Sequence, residues 1–212
     1  LAVLCLSLFL VVVDNTIVNV ALPTLSADLD ASTTQLQWIV DAYTLVFASL
    51  LLAFGHFGDR FGRRGALALG LVLFGATSAL AAFATSAGAL IGVRALMGVG
   101  AALVFPATLA ILMNVFTDKK QRAAAIGIWS GATGMAVAAG PVAGGFLLEH
   151  FWWGSVFLVN VPIVVLAVVA VMAVVPTSKD PNSGRLDWFG LVLSVASIGL
   201  LVWSIIEGPR LG

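Results

Sequence analysis

Long apolar stretches alternate with short polar segments along this chain. A helix needs about 20 predominantly apolar residues to cross the hydrocarbon core of a bilayer. Stretches of about that length lie at roughly 1–22, 36–56, 65–85, 88–114, 121–147, 156–175 and 187–206. The pattern therefore predicts an all-α, polytopic membrane protein with seven membrane-spanning helices.

Lysine and arginine are concentrated in every second polar break between these stretches. Those breaks carry Arg60, Arg63, Arg64, Lys119, Lys120, Arg122, Lys179 and Arg185. The breaks on the opposite side carry none, and Arg210 lies beyond the last stretch. Because cytoplasmic loops are enriched in these two residues, we expect the start of the first helix and the three basic breaks to be cytoplasmic.

The composition supports a lipid environment. The chain is 61% hydrophobic and only 9% charged, whereas about a quarter of the residues of a typical soluble domain are charged. The net charge is zero, so there is no basic footprint for nucleic acid. Cys5 is the single cysteine, which excludes an internal disulfide. The expected partner of most of the surface is therefore the lipid bilayer.

Three charged residues lie well inside predicted spans, away from their ends by several residues: Asp14 in the first, Asp41 in the second and Arg94 in the fourth. Each costs about 2.5–3.5 kcal/mol at a helix centre, so each is expected to face the protein interior or a watery cavity. One interpretation is an Asp–Arg pair that fastens helices together. The other is a carboxylate that binds a proton or a cationic substrate. For Asp41, which lies near the outer end of its helix, an interfacial carboxylate reaching water is a further alternative.

The fifth predicted helix is rich in glycine, with Gly131 and Gly134 in addition to a spaced motif. Small residues allow another helix backbone to approach closely. The motif resembles the antiporter motif of the major facilitator superfamily, although Ala136 replaces one of its glycines. Its matching positions are Gly127, Gly140, Pro141, Gly144 and Gly145.

The basic break after the second helix resembles the loop-2/3 signature of the same superfamily. The matching residues are Gly55, Asp59, Arg60, Gly62, Arg63 and Arg64. The resemblance implies that the aspartate and arginine join a charge cluster that latches the cytoplasmic side while the transporter faces outward. On the fourth helix, Arg94 matches the arginine of a motif to which proton transfer is assigned. Met97 stands where that motif has glutamine.

Three further segments narrow the resemblance to the fourteen-helix drug:proton antiporters, and in particular to bacterial exporters of quaternary ammonium compounds and dyes. They are residues 14–23, 38–43 and 152–162. The resemblance implies a six-helix N-terminal bundle at 1–175, followed at 176–212 by a cytoplasmic linker and a seventh, linker helix. Since the chain begins at Leu1 and ends just after a span, we expect a fragment without the C-terminal bundle.

The expected function is proton-coupled export of lipophilic, cationic drugs across the bacterial inner membrane. Asp14 and Asp41 are expected to face a central cavity, where they attract the cation when deprotonated and release it when protonated. Arg94 is the third predicted member of this proton and substrate site. No cofactor is expected.

Other functions remain open on the sequence alone. One is a major facilitator antiporter or facilitator for a different small metabolite. A membrane-embedded enzyme needs a nucleophile–base pair or a metal cluster, and His56 and His150 lack the neighbours that a metal site requires. We therefore expect neither an enzyme nor a metal site. A membrane receptor or scaffold is the third alternative, and the intramembrane acids are the main argument against it.

Overall fold

The structure is a computed structural model that describes residues 1–179 and 188–211, and the regular secondary structure of these ranges is α-helical. Arg185 lies outside the described residues. The helices are α1 (Ala2–Asp28), α2 (Thr33–Phe61), α3 (Arg63–Ala82), α4 (Ala87–Val115), α5 (Lys119–His150), α6 (Ser155–Leu158), α7 (Asn160–Val174) and α8 (Trp188–Leu211).

Within the described ranges, six helical segments are long and apolar enough to cross a membrane: α1 to α5, and α6 with α7 as one segment. The prediction of an all-α, polytopic membrane protein is therefore confirmed. The seventh predicted span corresponds to α8, whose apolar part at Val195–Ile205 is shorter than a span. Its crossing of the membrane stays a prediction.

Several helices extend into segments that the sequence pattern assigned to polar breaks. The first continues past Pro23 to Asp28, and the second continues through the expected loop to Phe61. Polar residues at the ends of a span meet water or headgroups, where they need not interrupt the helical hydrogen bonds. The break after α2 is reduced to Gly62, whose φ of 119° is a backbone conformation that favours glycine.

The sixth span is interrupted at Val159, between α6 and α7. Pro162 has no backbone N–H to donate to the carbonyl of Leu158, which lies four residues earlier. The interruption places Asn160 at the start of α7, where it is almost completely buried.

Helix α4 lies at the centre of the bundle and packs against α2 and α3, while α1 packs against α5 and α3 against α7. Glycines make these approaches close. A Cβ atom on Gly98 would lie 2.6 Å from the carbonyl oxygen of Tyr43, and one on Gly100 would lie 2.8 Å from the backbone nitrogen of Phe74. Gly98 is one turn from Arg94, so the same close approach brings Arg94 against α2.

Candidate functional site

Asp14 on α1 and Arg94 on α4 form an ion pair in the interior of the bundle. Arg94 Nη1 donates a hydrogen bond to Asp14 Oδ2, and both side chains are 0% exposed. Removing one partner of a buried pair costs about 3–5 kcal/mol, because the other charge is left buried and uncompensated. Each of the two residues therefore needs the other to compensate its charge in the bundle interior.

Arg94 also joins α4 to α2. Its Nε atom donates to the carbonyl oxygen of Ile39 at 3.0 Å, and its guanidinium carbon lies 4.4 Å from the centre of the Tyr43 ring. The Tyr43 hydroxyl donates to the carbonyl oxygen of Val11 at 3.0 Å. A cation over an aromatic ring is attracted electrostatically, and more strongly when water is excluded. The ion pair thus ties α1, α2 and α4 together.

The second oxygen of Asp14 is bound by a residue that the sequence did not point to. Asn160 Nδ2 donates to Asp14 Oδ1 at 2.9 Å and lies 3.0 Å from Ser78 Oγ. The Ser78 hydroxyl in turn donates to the carbonyl oxygen of Phe157 at 2.8 Å. An asparagine inside a predicted span is a signal that could have drawn attention to Asn160, whereas a single serine in an apolar helix is too common to stand out.

One amino group of the Arg94 guanidinium makes no hydrogen bond to the described residues. Arg94 Nη2 is buried and has no hydrogen-bond partner among the described residues. The Met97 sulfur lies 4.0 Å from Nη1, but a thioether is only a weak acceptor. Met97 occupies the position where the motif it resembles has glutamine, whose amide oxygen is a full acceptor. Arg94 therefore retains a donor for a further acceptor, such as water or a reacting group.

Asp41 has different surroundings. It is partly exposed and lines a cleft of about 390 Å³ between α1 and α2, near the end of the bundle where α2 begins. Asn19 and Gln37 contribute polar side chains to the same cleft. Asp41 takes part in no ion pair within the described ranges.

The predicted site residues are therefore not gathered around one cavity. Asp14 and Arg94 meet, but they are enclosed by helices and neutralise each other, so Asp14 does not face an open cavity as expected. The hydrogen-bonding side chains of Asn160 and Ser78 complete that enclosure. Asp41 lies in a separate cleft.

The predicted conformational motif forms the short connection between α2 and α3, which we call the junction. Arg63 Nε donates to Asp59 Oδ1 at 2.7 Å, so Asp59 pairs with Arg63, while the exposed Arg60 lies over the Phe61 ring. The backbone N–H of Arg63 donates to the carbonyl oxygen of Ser178 at 2.9 Å. Arg64 Nη1 donates to the carbonyl oxygen of Val175 at 3.3 Å, whereas Gly55 faces Pro106 on α4. The junction is thus attached to the segment that follows α7.

The predicted antiporter motif on α5 divides into two sets. A Cβ on Gly140 would collide with the Thr16 side chain, and one on Gly144 would lie 2.9 Å from Ile17 Cγ1, so both glycines allow close packing on α1. Pro141 lies between them and is exposed. The expected close approach of a second helix stays a prediction for the remaining glycines of α5, because no atom of another described helix lies within 4 Å of a Cβ built there. These are Gly127, Gly131, Gly134 and Gly145.

An aromatic chain connects the ion pair to α5. Tyr43 and Phe47 stack with their ring centres 6.3 Å apart, Phe105 lies 5.8 Å from Phe47, and Trp129 lies 5.3 Å from Phe105. Trp129 Nε1 donates to Thr108 Oγ1 at 3.2 Å. Because Tyr43 and Trp129 are buried, they contribute to helix packing in this arrangement.

Proteins with similar sequences are named for drug efflux and resistance. The multidrug efflux pump LfrA of Mycolicibacterium smegmatis is 48% identical over 97% of this chain and 41% of its own length. The methyl viologen resistance protein SmvA of Salmonella typhimurium is 44% identical over 92% of the chain and 39% of its own length. The methylenomycin A resistance protein of Bacillus subtilis is 38% identical over 100% of the chain and 45% of its own length. The chain thus spans less than half the length of these relatives.

The fold is shared with a solved transporter. The structure titled peptide transporter POT in complex with sulfate matches with a TM-score of 0.72 at 18% identity, over 98% of this chain and 46% of that one. At this identity the likeness concerns the fold. Residues 4–211 match the family model described as Major Facilitator Superfamily, and this match over nearly the whole sequence, together with the helical bundle, shows that the chain belongs to the Major Facilitator Superfamily.

Proposed function

We propose that this chain forms the N-terminal bundle of a drug:proton antiporter that exports lipophilic cations, such as quaternary ammonium compounds and dyes. The observation that carries the proposal is the ion pair of Asp14 and Arg94, fully buried among membrane-spanning helices. Charged side chains at such positions are expensive and mark ion or proton pathways in many membrane proteins. The relatives named for multidrug efflux and methyl viologen resistance support the substrate class.

Asp14 is the proposed proton carrier. Protonation would neutralise its carboxylate and leave Arg94 as a buried charge without a counter-ion. Because that state is unfavourable, Arg94 must move or recruit another acceptor, for which its unpartnered Nη2 is available. Arg94 also donates a hydrogen bond to the carbonyl oxygen of Ile39 and lies over the Tyr43 ring, so its movement would change the packing of α2. Proton binding is thus coupled to helix packing.

Asp41 is the proposed anchor for the cationic substrate. Asp14 is neutralised by Arg94 in this arrangement, so it is a poor direct partner for a second cation. Asp41 lies in an accessible cleft and has no ionic partner in the described part of the chain. The cleft also offers apolar side chains, from Leu36 and Val40, to the body of a lipophilic cation.

Transport in folds of this type rocks one bundle against the other around a central site. The proposed roles of the two motifs follow from their contacts. The junction of Asp59 and Arg63 joins α2 to α3, and the seam at Gly140 and Gly144 joins α1 to α5. Both keep the helices of this half together as it moves. We place the protein in the bacterial inner membrane with the start of α1 in the cytoplasm, on the distribution of Lys and Arg.

Substitution of Asp14 by Asn in the complete protein tests the proton-carrier role. Asparagine has nearly the same shape but takes up no proton, so we expect ethidium efflux driven by a proton gradient to be lost. Exchange of ethidium across the membrane without a gradient is expected to persist, because it needs no net proton movement. Fluorescence of ethidium in everted vesicles measures both rates.

The matched control is Asp28→Asn, which removes a carboxylate from the exposed end of the same helix. This variant is expected to keep gradient-driven efflux. Gradient-driven efflux by Asp14→Asn at the rate of the control would remove Asp14 from the coupling mechanism. Loss of both driven efflux and exchange in a folded Asp14→Asn protein would also contradict the assigned role.

A further inference from the structure

A concave pocket of about 450 Å³ lies where α3 begins and α7 ends. Its lining does not include Asp14, Arg94 or Asp41, although Gly62 and Arg64 belong to the junction between α2 and α3 as well. Its walls come from the end of α2, the first turn of α3, the last turns of α7 and the segment after it. The lining residues are Phe61, Gly62, Arg64, Gly65, Met172, Thr177, Ser178 and Lys179.

The described residues that line the pocket include two cations, Arg64 and Lys179, and no carboxylate. Arg64 uses one of its five N–H donors on the Val175 carbonyl oxygen, and Lys179 is exposed. The neighbouring carboxylate of Asp59 does not line the pocket and is bound by Arg63. Ser178 Oγ is buried and has no hydrogen-bond partner among the described residues. The pocket therefore offers two cations to an anion, and the unpartnered Ser178 hydroxyl lies buried in its wall.

A second, apolar groove follows the same seam between α3 and α7. Its volume is about 300 Å³, and valine, alanine and glycine form its walls. Gly75 lets Val164 approach so closely that a Cβ there would lie 2.7 Å from Val164 Cγ1. Exposed apolar side chains at Val165, Val169 and Met172 continue along the rim towards the basic pocket.

The distances along the seam fit the depth of one lipid leaflet. With a rise of 1.5 Å per residue, the groove at Val72 begins about 10 Å from Gly65 in the basic pocket and ends at Ala79, about 21 Å away. One leaflet with its headgroup region is about 20–22 Å deep, half of the total thickness of the bilayer. An acyl chain whose headgroup occupies the pocket would thus enter the groove.

We propose that the basic pocket and the apolar groove together bind one anionic glycerophospholipid. Its phosphate would lie between Arg64 and Lys179, since charge-assisted hydrogen bonds to phosphate are among the stronger ones. One acyl chain would fill the groove between α3 and α7. Basic pockets between membrane helices that meet the headgroup region are suited to anionic lipids. A free phosphate ion would leave the groove unused, and a zwitterionic lipid brings its own cation into a positive pocket.

Lipid binding to the complete, detergent-purified protein tests the proposal. Native mass spectrometry counts phosphatidylglycerol and phosphatidylcholine retained per protein, with inorganic phosphate added as a competitor. We expect preferential retention of phosphatidylglycerol. Lys179→Gln and Arg64→Gln should each weaken it about tenfold, the loss of one charge-assisted bond. Ala76→Phe, which fills the groove, should weaken it without removing a charge.

The matched control is Lys120→Gln, which removes an exposed cation from the first turn of α5, outside the pocket. It should leave phosphatidylglycerol retention unchanged. Equal retention of the two lipids, or equal losses in Lys179→Gln and Lys120→Gln, would overturn the proposal. Displacement of phosphatidylglycerol by inorganic phosphate, with no effect of Ala76→Phe, would assign the pocket to a soluble anion and overturn it as well.

Discussion

Asp14 and Asp41 have opposite surroundings, and these suit different tasks. Asp14 accepts hydrogen bonds from Arg94 and Asn160 and is sealed from solvent. Protonation of Asp14 removes its negative charge and leaves the buried cation of Arg94 without a counter-ion, so its cost in free energy is large. Asp41 lies in an accessible cleft without an ionic partner in the described ranges. It is suited to meet a substrate.

Asp41→Asn tests this division. The attraction of a cation to the Asp41 carboxylate grows with the charge of the cation, so we expect the variant to weaken transport of the dication methyl viologen about three- to tenfold, the range for a partly screened ion pair. Ethidium, a monocation, should be affected less. Concentration-dependent uptake of both compounds measures the two KM values.

Asp30→Asn is the control for Asp41, because it removes an exposed carboxylate from the nearby connection between α1 and α2. It should leave both KM values unchanged. Equal weakening for methyl viologen and ethidium in Asp41→Asn would contradict an electrostatic role of Asp41 as the anchor of the cationic substrate.

At the residue scale, charges in apolar spans are conspicuous, so the sequence singles out Asp14, Asp41 and Arg94 as candidates, and their roles stay predictions. It did not show which of them meet, because pairing depends on how the helices rotate about their axes. The pattern of apolar residues says little about that rotation, because the helix face that meets lipid and the face that meets the protein interior are both apolar. Asn160 was missed for a related reason: its role depends on the interruption at Val159 that brings it to Asp14.

At the scale of helices, span positions followed from apolar length, but helix ends did not. Polar residues stop an apolar run without stopping a helix, which is why α2 continues to Phe61. The glycine motif of α5 gives a similar lesson. Its spacing predicts a face of small residues, but of these glycines only Gly140 and Gly144 pack against α1. The motif spans several helical turns, so its other glycines point away from α1.

Gly140→Ala tests the packing role of that seam. The added Cβ would meet Thr16 and lie 3.1 Å from the backbone nitrogen of Ile17. We expect α5 to be displaced from α1 and the protein to lose about 1–3 kcal/mol of stability, the usual effect of overpacking. Thermal unfolding in detergent measures the change.

Gly127→Ala provides the comparison on the same helix, because a Cβ there meets no other described residue within 4 Å. Alanine has the higher helix propensity, so this variant should be neutral or slightly stabilising. A Gly140→Ala protein as stable as Gly127→Ala would show that the close approach of α5 to α1 is not required.

At the scale of the whole molecule, six membrane-crossing segments in the described ranges surround a polar cluster that links α1, α2, α3, α4 and α7. Such a bundle moves most readily as one body, because separating its helices would expose the buried ion pair. This is the behaviour that rocking of one half against another requires. In the proposed mechanism, a change in the protonation of Asp14 alters this packing.

Substrate accumulation in proteoliposomes is the most direct test of the proposed drug:proton antiport. The complete protein is reconstituted in vesicles with an acidic interior and ethidium outside, and internal ethidium and pH are recorded together. We predict that ethidium accumulates against its gradient while protons leave, and that both movements stop when an ionophore collapses the pH gradient. Accumulation that continues without the gradient, or proton release that is independent of ethidium, would contradict proton-coupled export.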